Sequence, residues 1–222
     1  MELEKIDKLK LVMWDLDGTI VDSRRQHHEA SKEVLKQHGF ELPKDHLKTV
    51  FGQTANEIFG GIFGDSVSDI KLKEIIDERD SKYRELIKVE AKFLPGVENW
   101  IKDLYEMGIT QVVASSTAYE NITTILETLK AQDYFSEIYS GANLPSKPDP
   151  AVFLLALESQ GTDKENCLVF EDSPHGIHAA KSIGLKCIAS AITFPHNKLT
   201  EADLVVETFE QLQWKDIHNL FA

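Results

Sequence analysis

The stretch LVMWDLDGTIVDS, residues 11–23, contains the pattern from which we predict the fold. Four apolar residues run directly into the tetrapeptide DLDG, in which Asp15 and Asp17 are the acids. A short apolar run that ends in turn-forming residues is typical of a buried β-strand. In a parallel sheet, this arrangement places two carboxylates at the carboxyl end of a strand, where open α/β folds bind their ligands.

Segments rich in Val and Ile recur along the chain and are separated by helical patterns. This alternation predicts an α/β fold, a parallel sheet with crossover helices. One helical pattern, with apolar residues at i, i+3, i+4 and i+7, covers residues 97–104. Asp149-Pro150 and Ser173-Pro174 have the N-cap and proline pattern that begins a helix. The strands are predicted near residues 10–15, 109–115, 136–140, 167–171, 186–190 and 203–206.

The stretch from Ser23 to Lys92 departs from this alternation, because it contains at least two long helical patterns and no convincing strand. Roughly 70 residues are too many for a structureless loop in a compact domain. We therefore predict a small helical domain inserted after the first strand. The predicted core domain comprises residues 1–22 and 93–222, and the predicted insertion comprises residues 23–92.

Composition and charge limit the classes of partner. The 222 residues are 42% hydrophobic and 27% charged, which is typical of a globular protein with a sizeable core. The formal net charge of −13 disfavours binding to nucleic acid or to an anionic membrane. The apolar runs are too short to span a membrane and the first ten residues are too charged for a signal peptide, so we expect a cytoplasmic protein. Cys167 and Cys187 are expected to be buried and reduced.

Three further polar clusters lie at or just after predicted strands. The segment VVASS ends in Ser115 and Ser116, Lys147 opens the segment KPDP before a helix, and the segment VFED ends in Glu171 and Asp172. Each cluster alone has a simpler interpretation, as a capping serine, a solvated lysine or an acidic turn. Together, in chain order and at one edge of one sheet, they indicate a single site that includes the two aspartates after the first strand.

These residues resemble the four motifs of the haloacid dehalogenase superfamily of aspartate-nucleophile phosphotransferases. DLDGT at residues 15–19 is similar to the first motif, and Ser115, Lys147 and the pair Glu171-Asp172 follow in the family's order. The segment GTIVDS and the position of the inserted helices, the family's cap, resemble the group that contains phosphoglycolate phosphatases, small sugar phosphate phosphatases and β-phosphoglucomutase. The resemblance implies a Rossmann-like core and dependence on Mg²⁺.

The motifs also predict a role for each residue. Asp15 is the expected nucleophile, which forms an aspartyl-phosphate by in-line attack on phosphorus. Asp17 is the expected general acid and then general base. The resemblance implies that Mg²⁺ is held by the side chains of Asp15 and Asp172 and by the backbone carbonyl of Asp17, with Glu171 in or near the outer shell. The residues expected to hold phosphoryl oxygens are Ser115, Ser116 and Lys147.

The charges of these side chains support a requirement for a metal ion. Four ionised carboxylates and one lysine give the site a net charge of −3, which repels a phosphate dianion. Two like charges 4 Å apart repel by about 4 kcal/mol at an effective dielectric constant of about 20. One Mg²⁺, together with a proton on Asp17, would bring the site to neutrality.

Three functions compete at this stage. Asp17 favours oxygen-linked phosphate, because family members that cleave carbon–halogen or carbon–phosphorus bonds lack an aspartate two positions after the nucleophile. The preferred function is hydrolysis of a small phosphorylated metabolite, by a protein expected to be monomeric. A sugar phosphomutase is the alternative: His27 stands where that enzyme has a cap histidine, whereas Ala55 replaces its substrate-phosphate arginine. A catalytically silent binding protein is the third candidate. His27 and Gln53 are the candidate residues on the cap side of the pocket.

Overall fold

The computed structural model describes residues 6–43 and 53–222. Within these residues, six strands form one sheet in the order β3-β2-β1-β4-β5-β6, and every neighbouring pair is parallel. All six lie where the sequence predicted them, and the α/β fold is confirmed. The strands are β1 (Leu11–Trp14), β2 (Thr110–Ser115), β3 (Glu137–Ser140), β4 (Cys167–Glu171), β5 (Lys186–Ser190) and β6 (Leu204–Val206).

From β2 to β5, one α-helix follows each strand before the next strand begins. Ser173 caps α7 as predicted, since its Oγ accepts a hydrogen bond of 3.0 Å from the amide of Gly176. Helix α6 begins one residue later than predicted, with Pro150 at the N-cap. The side chain of Asp149 still binds the start of the helix, since its Oδ1 accepts from the amide of Ala151 at 2.9 Å. The helices are α1 (Arg24–Gln37), α2 (Ala55–Phe63), α3 (Asp69–Glu90), α4 (Val97–Glu106), α5 (Tyr119–Leu129), α6 (Ala151–Gln160), α7 (Pro174–Ser182) and α8 (Trp214–Phe221).

Side chains of the strands alternate between two hydrophobic clusters, one on each face of the sheet. On one face, the rings of Trp14 and Phe170 stack with centroids 4.1 Å apart and pack among side chains of α4, α5 and α8. On the other face, Met13 packs among side chains of α6 and α7. Cys167 and Cys187 belong to this second cluster and are buried and unpaired, as predicted. Burial on both faces explains the continuous apolar sequences of the central strands.

Helices α1, α2 and α3 lie between β1 and α4 in the chain, and the described residues from 24 to 90 contain no strand. Val21 forms isolated β-bridges with Asp17 and Phe93, so the two connections to the sheet run side by side. This arrangement is consistent with a helical insertion, although its boundaries stay a prediction. The three helices share a hydrophobic cluster of their own, formed by Val34, Leu35, Phe59, Phe63, Ile75 and Ile76.

Within residues 6–43 and 53–222, each helix is too short or too polar to span a membrane.

Candidate active site

The carboxyl ends of the central strands bring the predicted polar residues together. Asp15 follows β1, Ser115 ends β2, Glu171 ends β4, and Asp172 comes next. Because β1 lies between β2 and β4, these side chains meet at one edge of the sheet. Together with Lys147 and residues of α1, α2 and α3, they line a cavity of about 820 Å³.

Lys147 is a buried cation beside the acidic residues, with 3% of its surface exposed. Its Nζ lies 2.7 Å from Oδ1 of Asp15 and 2.7 Å from Oε1 of Glu171. Burial disfavours the charge of Lys147, but the two carboxylates hold its pKa above the ordinary value. Lys147 is therefore a charged group that fixes one oxygen of Asp15.

Glu171 is completely buried, and both of its carboxylate oxygens are occupied. Oε1 accepts from Lys147, while Oε2 accepts from the amides of Asp172 and Ser173 at 2.9 and 3.0 Å and from the Ser173 hydroxyl at 3.0 Å. Gly176 leaves the space that this carboxylate fills, since a Cβ there would lie 1.6 Å from Oε1. These contacts fit a residue that positions Lys147 and the backbone of Asp172 and Ser173.

Asp15 and Asp172 are buried carboxylates whose protonated forms are favoured. Burial and repulsion from Glu171 raise the pKa of Asp15 to about 7, although the charge of Lys147 opposes the shift. Burial, followed by repulsion from Glu171 and Asp15, raises the pKa of Asp172 well above its ordinary value. Without a bound cation, the site therefore resists the ionisation of all of its carboxyl groups.

The acidic cluster has the donor atoms that Mg²⁺ prefers. Carboxylate oxygens of Asp15, Glu171 and Asp172 lie within 4.8 Å of one another. Oδ2 of Asp172 is buried and, among the described residues, has no hydrogen-bond partner. A buried oxygen without a partner requires an explanation, and a bound cation with oxygen ligands provides one. The residues therefore fit the metal ion that the motifs imply.

Asp17 lies at the contact between the sheet edge and the helical insertion. Its Oδ1 accepts from the hydroxyl of Ser23, from Nε2 of His27 at 3.1 Å and from the hydroxyl of Tyr83 at 3.5 Å. Its Oδ2 accepts from the hydroxyl of Thr117. Burial would raise the pKa of Asp17, but the contacts with His27, Ser23 and Thr117 hold it well below the usual range. In this arrangement Asp17 is a carboxylate with both oxygens occupied.

Arg79 fixes the orientation of His27. Nη2 of Arg79 lies 2.6 Å from Nδ1 of His27, and a guanidinium only donates hydrogen bonds. Nδ1 of His27 is therefore the acceptor, and Nε2 bears the proton that is donated to Asp17. The ring of Tyr83 stacks on the His27 ring with centroids 4.1 Å apart, and Asp80 pairs with Arg79 at 2.5 Å. These contacts form a rigid support for one side of Asp17.

The remaining residues predicted from the sequence lie at the same cavity, although their roles stay predictions. Ser116, His27 and Gln53 line it together with Ser115, and Gln53 is exposed. Oγ of Ser115 accepts from the amide of Thr117 at 3.2 Å, which closes a turn directly after β2. The structure therefore brings all of the predicted site residues to one cavity.

Sequence analysis missed four residues that contact Asp17 or its support. Two of them lie inside or beside motifs, because Ser23 ends the segment GTIVDS and Thr117 follows Ser115 by two positions. The other two lie on α3, whose apolar spacing predicts a helix but does not show which polar groups face the sheet. The missed residues are Ser23, Arg79, Tyr83 and Thr117.

Comparison with known proteins gives one family. The model of the haloacid dehalogenase-like hydrolases matches residues 12–190. The chain is 28% identical over 190 residues to the phosphorylated carbohydrates phosphatase of Thermotoga maritima, covering 83% of this chain and 86% of that protein. It is 29% identical over 219 residues to the β-phosphoglucomutase of Bacillus subtilis, covering 95% and 94% of the two chains. The crystal structure of β-phosphoglucomutase from Clostridium difficile superposes with a TM-score of 0.85 at 23% identity, covering 96% and 97%. The chain therefore belongs to the haloacid dehalogenase-like hydrolase family.

Proposed function

We propose that this protein is a Mg²⁺-dependent phosphatase that hydrolyses a small phosphorylated metabolite through an aspartyl-phosphate on Asp15. The main support is the pairing of two aspartates with different surroundings: Asp15 is fixed by Lys147 beside an acidic cluster, and Asp17 is held by hydroxyl and imidazole donors. A nucleophile and a separate proton carrier are what two-step phosphoryl transfer requires. The similarity to the Thermotoga phosphatase supports the same reaction class.

In the first step, Asp15 attacks the phosphorus atom of the substrate. Lys147 holds Oδ1 of Asp15 at 2.7 Å, which leaves Oδ2 without a lysine contact. As the bond between this oxygen and phosphorus forms, the bond between phosphorus and the substrate oxygen breaks. Asp17, which receives a proton when the substrate binds, gives that proton to the departing alkoxide.

In the second step, a water molecule releases the phosphate. Asp17, now a carboxylate, takes a proton from the water, whose oxygen attacks phosphorus as the bond to Asp15 breaks. The products are inorganic phosphate and free Asp15. Ser115 and Ser116 are the groups at the end of β2 that would hold the phosphoryl oxygens during both steps.

Mg²⁺ would be held by the carboxylates of Asp15 and Asp172 and by the backbone carbonyl of Asp17, and when bound it supplies charge that offsets the phosphoryl oxygens. Glu171 would act from beside these ligands. It holds Lys147 through one oxygen and the Asp172 and Ser173 amides through the other. The residues themselves thereby fix the positions of the nucleophile and the acidic cluster.

A phosphomutase is the second candidate function. It is favoured by the contact of His27 with Asp17 and by the similarity to the Bacillus β-phosphoglucomutase. Ala55, which lines the cavity, disfavours it, because an alanine cannot bind the substrate's phosphate as the mutase arginine does. Phosphate transfer between sugar positions without net phosphate release would support the mutase.

The test is release of inorganic phosphate from a panel of sugar phosphates, phosphoglycolate and nucleoside monophosphates, with and without Mg²⁺. We expect release that requires Mg²⁺ and that disappears in Asp15→Asn. Asp133→Asn is the matched control, because Asp133 is an exposed acid outside the cavity lining. If the folded wild-type protein releases no phosphate from any compound, hydrolysis is wrong, and sugar phosphate isomerisation is assayed next.

A further inference from the structure

Arg84 of α3 lines the cavity and has a neutral side chain as its hydrogen-bond partner. Its Nη1 donates to Oδ1 of Asn121 at 2.8 Å. Asn121 lies in the first turn of α5 and is 1% exposed, so it is a rigid anchor. Arg84 is half-buried, and among residues 6–43 and 53–222 it forms no ion pair with a carboxylate. The charge of this guanidinium is therefore uncompensated by the described part of the protein.

The other arginines and the buried lysine at the cavity are already paired. Lys147 contacts Asp15 and Glu171, as described above. Arg79 pairs with Asp80 at 2.5 Å, and Arg24 contacts both carboxylate oxygens of Asp22 at 2.8 Å. Of the arginines that line the cavity, Arg84 is thus the one whose charge is left for a ligand.

The surroundings of Arg84 favour an anion over a neutral group. A guanidinium has five N–H donors, and the Asn121 contact uses one on Nη1, so other donors can form the paired hydrogen bonds that carboxylates and phosphates accept. Ala118, at the N-cap of α5, also lines the cavity and provides no side-chain cap, so the positive end of the helix dipole adds to the same field. Burial of part of the guanidinium strengthens its interaction with an anion. Four acids of α3 and α5 share the lining with Arg84. Asp69, Asp77 and Glu120 are exposed, and Asp80 is buried and paired with Arg79.

We propose that Arg84, anchored by Asn121, forms a subsite for a second anionic group on the substrate, a carboxylate or a second phosphate. The inference rests on the proposed phosphatase function and narrows it to phosphomonoesters whose leaving group is itself anionic. Arg84 is then a specificity residue, since it contacts a part of the substrate that does not react. Asn121 is a positioning residue that holds Nη1 and so orients the remaining donors.

A purely structural role makes a different prediction. The Arg84–Asn121 contact joins α3 to α5, and a simple bridge would affect all substrates alike when it is broken. Asn121→Asp separates the two roles, because it places a carboxylate against Nη1 and keeps the bridge while it occupies the charge of Arg84. Arg84→Gln removes the charge and keeps a side chain that can donate to Asn121.

The experiment compares matched substrate pairs. 6-Phosphogluconate against glucose 6-phosphate tests a carboxylate, and fructose 1,6-bisphosphate against fructose 6-phosphate tests a second phosphate. The readout is the ratio of kcat/KM within each pair, for the wild type, Arg84→Gln and Asn121→Asp at saturating Mg²⁺. We expect the wild type to favour the more anionic member of at least one pair by about tenfold or more, as for a hydrogen bond to a charged group. Both variants should bring that ratio close to one.

Two results would overturn the subsite: equal kcat/KM within both pairs for the wild type, or a preference that both variants retain. If the variants lower kcat/KM equally for both members of a pair, the Arg84–Asn121 contact only joins α3 to α5. That result would also overturn the subsite. Calorimetric binding of the same four compounds to Asp15→Asn, alone and combined with Arg84→Gln, gives a second readout that needs no turnover. If no compound releases phosphate, the proposed phosphatase function is wrong and the subsite is still tested by binding. If Arg84→Gln leaves the affinities for all four compounds unchanged, the subsite is wrong and the phosphatase function is not affected.

Discussion

The raised pKa of Asp15 makes the stability of the metal-free protein depend on pH. The ordinary pKa of 3.8 applies to the unfolded chain, whereas burial and the charge of Glu171 raise it to about 7 in the fold. Between these values the folded state holds more protons than the unfolded state, so the free energy of unfolding falls as pH rises. For this group alone, the loss between pH 5 and pH 8 is about 3 kcal/mol. The raised pKa of Asp172 acts in the same direction.

Other shifted groups of the site act outside this window. The lowered pKa of Asp17 contributes stability that is present above its unfolded value of 3.8 and is lost only as pH falls further. The raised pKa of Lys147 contributes stability that is fully present below 10.5 and is lost only at higher pH. A change between pH 5 and pH 8 can therefore be assigned to Asp15 and Asp172 by mutation.

The assay is urea unfolding in EDTA from pH 5 to pH 8, for the wild type, Asp15→Asn and the exposed control Asp133→Asn. An asparagine cannot ionise, so we expect the Asp15→Asn curve to fall less, and its stability relative to the wild type to rise by about 3 kcal/mol across the window. Mg²⁺ should stabilise the wild type most at pH 8, where the carboxylates are ionised. Parallel curves for the wild type and Asp15→Asn would refute the argument.

The remaining predictions concern the buried support of the site. Lys147→Met leaves two buried carboxylates without their cation and should cost about 3–5 kcal/mol of unfolding free energy, whereas Lys102→Met on the exposed face of α4 should leave it nearly unchanged. Gly176→Ala places a Cβ 1.6 Å from Oε1 of Glu171 and should destabilise by about 1–3 kcal/mol. Gly61→Ala, in an open part of α2, should stabilise by about 0.5–1 kcal/mol. Urea unfolding measures all four, and equal effects within either pair would contradict the reasoning.

The fold was predictable because its strands are short, apolar and separated by helices with one apolar face. Each strand of the sheet centre is buried on both faces, so its sequence is a continuous apolar run that ends abruptly in polar residues. That abrupt end also marked the site, since Asp15 and Asp172 directly follow such runs. The sequence pattern was therefore sufficient to predict the site residues that lie at the ends of strands.

The residues missed by sequence analysis are positioned by contacts between distant elements. Tyr83 reaches Asp17 across 66 positions, and Arg79 reaches His27 across 52. Tyr83 also fits the apolar spacing of α3, and it is completely buried, so its sequence position alone indicates packing. Nothing in the spacing of α3 states which side faces the sheet edge. Such contacts depend on how the helical insertion lies on the sheet, and this is decided by three-dimensional packing.

The support of Asp17 determines which residue can act as the base. His27 has the typical chemistry of a general base, but its Nδ1 already accepts from Arg79 and its Nε2 carries the proton that it donates to Asp17. It cannot take a proton from water without losing one of these contacts. Asp17 is the carboxylate in this arrangement, which is the form that deprotonation of water requires. The proton for the leaving group must then arrive with substrate binding, and a phosphomonoester, whose second pKa is about 6, can bring one. In the proposed reaction, Asp17 would serve first as the acid and then as the base. Its hydrogen-bond donors would favour the carboxylate form after the proton has left.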